Sequence, residues 1–412
     1  MTFSIIIFIY GIVFNNPFIL PNEEKAIFGI FLYSIPLIFQ ISKYSKTIKI
    51  YSIWFGIFMI LQSILLFFTL NNKDYITLIP NLDRTVNIQT GALAGISGIQ
   101  RIISDEKGFR NTKKINYLTK NDKEFRIFAI GGSTTEQIYL DQKKTWTHLL
   151  QKQLDEKYNN LDFQVINTGV SGLRAVNHIA TLNKITKYHP DIVIFLIGFN
   201  DWNNHIKENF EYNKKSNYEK FINNLPKFIT DLSYQKTLGI YLKTSKIKLI
   251  FNKNEKNNDN YKELTKNYFP AGSLFKKDVR RFKPKDVLQN YKDQLSEINF
   301  ICDENKIKCI FLTQPNGYKK QANNEYKKLF WLTPPEKNFT LNFDSLIHIS
   351  KLYNNYMIKF SSKNNKISCD LDSKILASSK HMYDDAHYNI EGAKVFSKAL
   401  FNCINKNSII NK

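Results

Sequence analysis

Ser133 stands near the end of the stretch Phe125–Thr135, which reads Phe-Arg-Ile-Phe-Ala-Ile-Gly-Gly-Ser-Thr-Thr. Its apolar part, Ile127 to Ile130, has the pattern of a buried strand. Gly131 and Gly132 then permit a tight turn, and the polar residues beyond can begin a helix. A hydroxyl on such a turn projects from the carboxyl edge of a sheet, where open α/β folds place their ligands. That is a good position for a nucleophile. A serine there can equally act as a helix cap, so its chemistry depends on what the rest of the chain supplies.

A serine nucleophile needs a base to take its proton, a carboxylate to orient the base, and donors for the oxyanion. His387 is the candidate base, at the end of His381-Met382-Tyr383-Asp384-Asp385-Ala386-His387. Asp384, three residues earlier, can reach its Nδ1–H across one turn; Asp385 lacks that spacing. Gly172 closes Asn167-Thr168-Gly169-Val170-Ser171-Gly172, and Asn200 lies in Gly198-Phe199-Asn200-Asp201. Each follows an apolar run. His381, Asp384, Asp385 and His387 are also metal-ligand types, but no further ligand cluster completes a site. No metal or cofactor is expected.

The elements that must position these groups alternate. Strands are expected at Ile127–Ile130, Phe163–Ile166, Ile192–Ile197, Ile307–Thr313 and Ile367–Leu371. Helices are expected over 145–157, 175–188, 286–304, 343–362 and 391–404. This rhythm predicts a parallel α/β sheet. Residues 71–124 read as short strands and turns and include Gly108-Phe109-Arg110. Residues 203–285 interrupt the rhythm and read as an insertion, with an Asn/Lys-rich run at 252–260.

The first 74 residues are of another kind. Residues 2–20, 26–41 and 50–70 are apolar and uncharged. About 20 such residues cross a bilayer as a helix, so residues 1–74 are expected to form a membrane anchor of about three transmembrane helices, ahead of a catalytic domain at 75–412. Lys43, Lys46 and Lys49 place the second loop in the cytoplasm by the positive-inside rule. Everything after Leu70 then lies outside the cytoplasmic membrane, which in a Gram-negative cell is the periplasm.

With 412 residues, 43% of them hydrophobic, the chain can bury a substantial core. Its net charge of +22 suits anionic glycan or membrane. No zinc-knuckle, RNA-recognition or basic-zipper pattern points to nucleic acid. Cys302, Cys309, Cys369 and Cys403 are too few for a disulfide scaffold. They are expected mostly as buried thiols, with one or two bridges open to them in an oxidising compartment.

The order Ser133, Gly172, Asn200, Asp384-x-x-His387 resembles the four blocks of the SGNH hydrolases, the GDSL esterase and lipase superfamily, in a membrane-anchored bacterial form. The resemblance covers roughly residues 125–205 and 380–404. It implies a three-layer, flavodoxin-like α/β sandwich. It also implies a catalytic set of Ser133, Asp384 and His387, with an oxyanion hole from the Ser133 and Gly172 N–H groups and the Asn200 side chain. One departure is Gly132, where the family's name-giving motif has aspartate. The implied function is a serine esterase removing O-acyl groups, acetyl foremost, from envelope or exported glycans. The alternatives are a glycan O-acyltransferase using the same residues and a catalytically idle glycan-binding or assembly protein.

Overall fold

The apolar runs of the sequence become the strands of one parallel sheet in the computed structural model, which describes residues 75–111, 113, 115–212, 261–264, 278–331 and 339–410. Nearly all of these belong to one unit, Asp74–Phe210 with Asn258–Lys412. The expected spans at 2–20, 26–41 and 50–70 lie outside the described residues. Among the described residues no helix is long and apolar enough to cross a membrane.

In chain order the elements are strands β1 (Asp83–Leu93), β2 (Ile96–Ile103) and β3 (Glu124–Gly131), helices α1 (Ser133–Glu136) and α2 (Trp146–Lys157), and β4 (Asp162–Asn167). There follow α3 (Ala175–Ile185), β5 (Ile192–Leu196), α4 (Phe199–Tyr212), β6 (Tyr261–Leu264), β7 (Val279–Arg280), α5 (Gln289–Glu304) and β8 (Lys308–Leu312). The chain closes with α6 (Asn324–Lys327), β9 (Thr340–Leu341), α7 (Phe343–Lys363), β10 (Ile367–Cys369) and α8 (Ile390–Lys406).

The main sheet has the order β10-β8-β5-β3-β4, and every pair in it is parallel. The chain moves outward from β3 to β4, then returns to place β5 on the other side of β3. The order therefore reverses between β3 and β5, and ligands bind at such switch points in open α/β sheets. Strands β3 and β5 are buried along their whole length, as central parallel strands covered on both faces must be. Helices α2 and α8 pair on one face, with Trp146 and Phe396 5.0 Å apart. Helices α3, α5 and α7 cover the other, with Tyr291 and Tyr353 also 5.0 Å apart.

Several expectations need adjustment. Residues 203–212 do not begin an insertion but continue α4, where Trp202 and Ile206, one turn apart, are fully buried. The short β6 pairs in parallel with β1, and β7 with β9, so the described parts of 261–285 are tied to the unit. Residues 83–103 form a long antiparallel hairpin rather than short strands. The cysteines are not free thiols. Cys302 pairs with Cys309 and Cys369 with Cys403, at Cα separations of 6.3 and 6.0 Å, within the span a disulfide bridges. The fold sets these pairings by placing the end of α5 beside β8, and β10 beside α8.

Candidate active site

Strand β3 ends at Gly131, and Gly132 caps the single-turn helix α1, whose first residue is Ser133. Close packing requires the glycine at 131, and the turn is also tight at 132. A Cβ at Gly131 would lie 2.2 Å from Thr135 Oγ1 and 2.5 Å from the Leu196 carbonyl. A Cβ at Gly132 would lie 2.9 Å from Asn200 Nδ2. The Asn200 amide thus lies against the turn that carries Ser133.

His387 comes from the opposite end of the chain. Residues 381–389 fold back on themselves, with Tyr383 N–H donating to His387 O at 3.1 Å and Asn389 N–H to His381 O at 3.0 Å. Asn389 then caps α8 by accepting from Gly392 N–H at 3.0 Å. Within this loop Asp384 Oδ1 accepts from the N–H groups of Ala386 and His387 at 2.9 and 2.7 Å. Its Oδ2 lies 2.7 Å from His387 Nδ1. On the other side of the ring, His387 Nε2 lies 2.7 Å from Ser133 Oγ. With Asp384 accepting from Nδ1–H, Nε2 is left as the unprotonated nitrogen, able to accept from the serine hydroxyl. The sequence expectation of Asp384 rather than Asp385 as the orienting group agrees with this geometry. Asp385 instead accepts from Tyr318 O–H and from Trp331 N–H.

Burial alone would push the His387 imidazole down. The charge and hydrogen bond of Asp384, with the charges of Asp385 and Glu136, outweigh it and hold the ring above its ordinary range. The Tyr383 ring stacks on it at 5.3 Å.

Gly172 sits on the loop after β4 and Asn200 in the first turn of α4, directly after β5, on either side of the turn at the end of β3. Gly172 is exposed and adopts φ +80°, a left-handed conformation suited to glycine. Asn200 donates one amide hydrogen to the Leu173 carbonyl at 2.8 Å, which ties its loop to that of Gly172. The next residue, Asp201, is buried and accepts from Ala175 N–H at 3.1 Å, which secures the start of α3. The structure therefore brings Ser133, Gly172, Asn200, Asp384 and His387 to one edge of the sheet. Among the described residues no group of three or more His, Cys, Asp or Glu could hold a metal ion. The four residues weighed as ligands have other partners: His381 Nδ1 accepts from Leu376 N–H at 3.1 Å.

Other residues around the site were not legible in sequence. Trp331 Nε1–H donates to Asp384 Oδ2 at 3.1 Å, and Tyr326 O–H to the Asp384 carbonyl at 2.7 Å. Arg110, from the Gly-Phe-Arg segment, is fully buried. It donates to the carbonyls of Glu136, Gln137 and Leu140, the last two at 2.9 and 3.1 Å. Those of Glu136 and Gln137 lie at the end of α1, where a helix leaves carbonyls without intrahelical partners. Glu136 is buried one turn after Ser133.

Residues 127–400 match the model of the GDSL-like lipase/acylhydrolase family. The chain belongs to this family. The GDSL-like hydrolase is accordingly an ester-hydrolysing enzyme. Solved structures resemble it at low identity and low TM-score. An acetyl xylan esterase, AlAXEase, is 13% identical with a TM-score of 0.38, covering 68% of this chain and 100% of that one. Axe2, an acetylxylan esterase from Geobacillus stearothermophilus, is 14% identical with a TM-score of 0.38, covering 68% and 94%. A GDSL-like lipase from Bacteroides thetaiotaomicron VPI-5482 is 13% identical with a TM-score of 0.34, covering 71% and 93%. No curated protein matches the chain.

Proposed function

We propose that this GDSL-like hydrolase is a membrane-anchored serine esterase that removes O-acyl groups, acetyl foremost, from envelope or exported glycans. The observation that carries the reading is the unbroken line of hydrogen bonds from Ser133 Oγ through the His387 ring to Asp384. Ser133 Oγ attacks the ester carbonyl while its proton passes to His387 Nε2. Asp384 supports the imidazolium that forms. The carbonyl oxygen becomes an oxyanion, met by the N–H groups of Ser133 and Gly172 and by the Asn200 amide. The C–O bond breaks, and the sugar hydroxyl leaves with the proton from His387. Water then attacks the acyl-Ser133 ester with His387 again as base, releasing the carboxylic acid and restoring the serine.

Two observations support an extracytoplasmic site. Disulfides persist in oxidising compartments, and both cysteine pairs are bridged. The apolar, uncharged segments before residue 71 are long enough to anchor the chain. An esterase on that side of the membrane meets envelope and exported glycans.

The test is to incubate the full-length protein in detergent with O-acetylated envelope polysaccharide and follow both products by mass spectrometry. Loss of acetyl groups with appearance of free acetate is expected. Cleavage of a small aryl acetate with the polysaccharide untouched overturns the glycan reading. Transfer of an acyl group onto the polysaccharide from an added donor, with no hydrolysis, makes the protein a transferase. Reporter fusions just after Leu70 are expected to be active outside the cytoplasm, and cytoplasmic reporters overturn the topology.

A further inference from the structure

Glu136 is a buried acid that the esterase mechanism does not use. It is the last residue of α1 and only 2% exposed. Burying a carboxylate is unfavourable unless donors meet it. Here the donors come from an exposed loop: Glu136 Oε2 accepts from Ser171 N–H at 2.6 Å and from the Ser171 hydroxyl. The positive charge of buried Arg110 lies close by and further supports the carboxylate. Ser171 immediately precedes Gly172. Both are exposed, and Gly172 has φ +80°.

We infer that Glu136 is the positioning residue of the oxyanion site, holding Ser171 and through it the Gly172 N–H where the oxyanion forms. Helix α1 carries Ser133 at its first residue and Glu136 at its last. One helical turn thus sets the nucleophile and an oxyanion donor in a single rigid frame. Arg110 closes that frame by holding the carbonyls at the end of α1. The opposite side of the same loop is held by Asn200 through the Leu173 carbonyl. This role rests on the serine-esterase reading above. Glu136 itself touches no reacting atom; it acts through Ser171, beside the smaller influence of its charge on the His387 ring.

The test compares kcat and KM of full-length Glu136→Ala, Glu136→Gln, Ser171→Ala and Ser133→Ala on a small aryl acetate. Losing one well-placed oxyanion donor typically lowers kcat about 100-fold or more. Glu136→Ala is expected to fall by about that factor, with KM changed less than about threefold, because the donor acts in the transition state. Glu136→Gln keeps an accepting oxygen for both Ser171 donors and is expected to recover kcat to within about tenfold of the parent. Ser171→Ala loses one of the two donors and is expected to drop kcat about tenfold at unchanged KM. If Glu136→Ala does not fold, the glutamine and Ser171 variants carry the test alone. A Glu136→Ala kcat within about threefold of the parent, a Glu136→Gln as slow as Glu136→Ala, or an unaffected Ser171→Ala each overturns the role of Glu136. Turnover that survives Ser133→Ala overturns the serine mechanism itself, which distinguishes the two failures.

Discussion

Trp331 Nε1–H and His387 Nδ1–H share one acceptor, Asp384 Oδ2, at 3.1 and 2.7 Å. The indole therefore draws on the same negative charge that holds the imidazole. Replacing Trp331 by Phe keeps an aromatic ring and removes the donor. Asp384 then binds the His387 proton more strongly, and the imidazole becomes harder to deprotonate. Trp331→Phe is expected to lower kcat/KM about tenfold and to move the acid limb of the pH–rate profile to higher pH. A profile that stays in place assigns Trp331 a packing role only.

The acid limb of the parent enzyme follows from His387. The base must be neutral to accept the serine proton, so activity rises as pH climbs through its pKa. Although burial opposes it, the Asp384 charge holds that pKa above the ordinary 6.5. Asp384→Asn removes the charge, so the acid limb moves to lower pH while kcat falls by roughly 10²- to 10⁴-fold. The sign separates the two variants, since Trp331→Phe and Asp384→Asn shift the limb in opposite directions. A pH–rate profile of each variant on an aryl acetate checks this.

Asp201 gives a stability prediction. Burial raises its pKa from 3.8 to about 6. A carboxyl whose folded pKa is raised adds stability below its unfolded pKa and loses it as pH rises through the folded one. Between pH 3.8 and about 6 that loss amounts to about 3 kcal/mol, at 1.36 kcal/mol per pKa unit. Asp201 Oδ1 accepts from Ala175 N–H, which an amide oxygen can also do, and asparagine has no charge to bury. Asp201→Asn is expected to raise Tm at pH 7.5 and to flatten the decline between pH 4 and 6. Thermal melts across that range check it, and a lowered Tm at pH 7.5 contradicts it.

The disulfides should differ in worth. The Cys369–Cys403 bridge spans 34 residues of sequence and Cys302–Cys309 only 7. Chain entropy alone then gives about 4 kcal/mol for the first and about 2.5 kcal/mol for the second. Denaturant unfolding of the double-serine variants of each pair is expected to show the larger loss for the 369/403 pair. Equal losses, or the reverse order, contradict it.

Much of the site could be read directly from sequence, because parallel strands buried on both faces are short apolar runs and their ends carry the functional groups. Ser133, Asn200 and His387 each lie just beyond such a run or just before a helix. The spacing of Asp384 to His387 is local, so it too was visible. What could not be read is tertiary. Trp331 meets Asp384 from 53 residues away, and Arg110 reaches α1 from 26 residues upstream. Nothing in composition or periodicity joins them. The cysteine pairs likewise depend on which strand ends beside which helix. Glu136 had a usable signal: an acidic residue three positions after Ser133. Residues 203–212, expected as the start of an insertion at 203–285, continue α4, because Trp202 and Ile206 bury one face of that helix.

The central claim is that Ser133 is the nucleophile, and covalent labelling tests it most directly. The full-length protein is treated with a fluorophosphonate and mapped by peptide mass spectrometry, beside Ser133→Ala and His387→Ala. The expected result is a single adduct on Ser133, abolished in Ser133→Ala, strongly slowed in His387→Ala, and accompanied by loss of aryl acetate turnover. Labelling at another residue, or full turnover by Ser133→Ala, contradicts it.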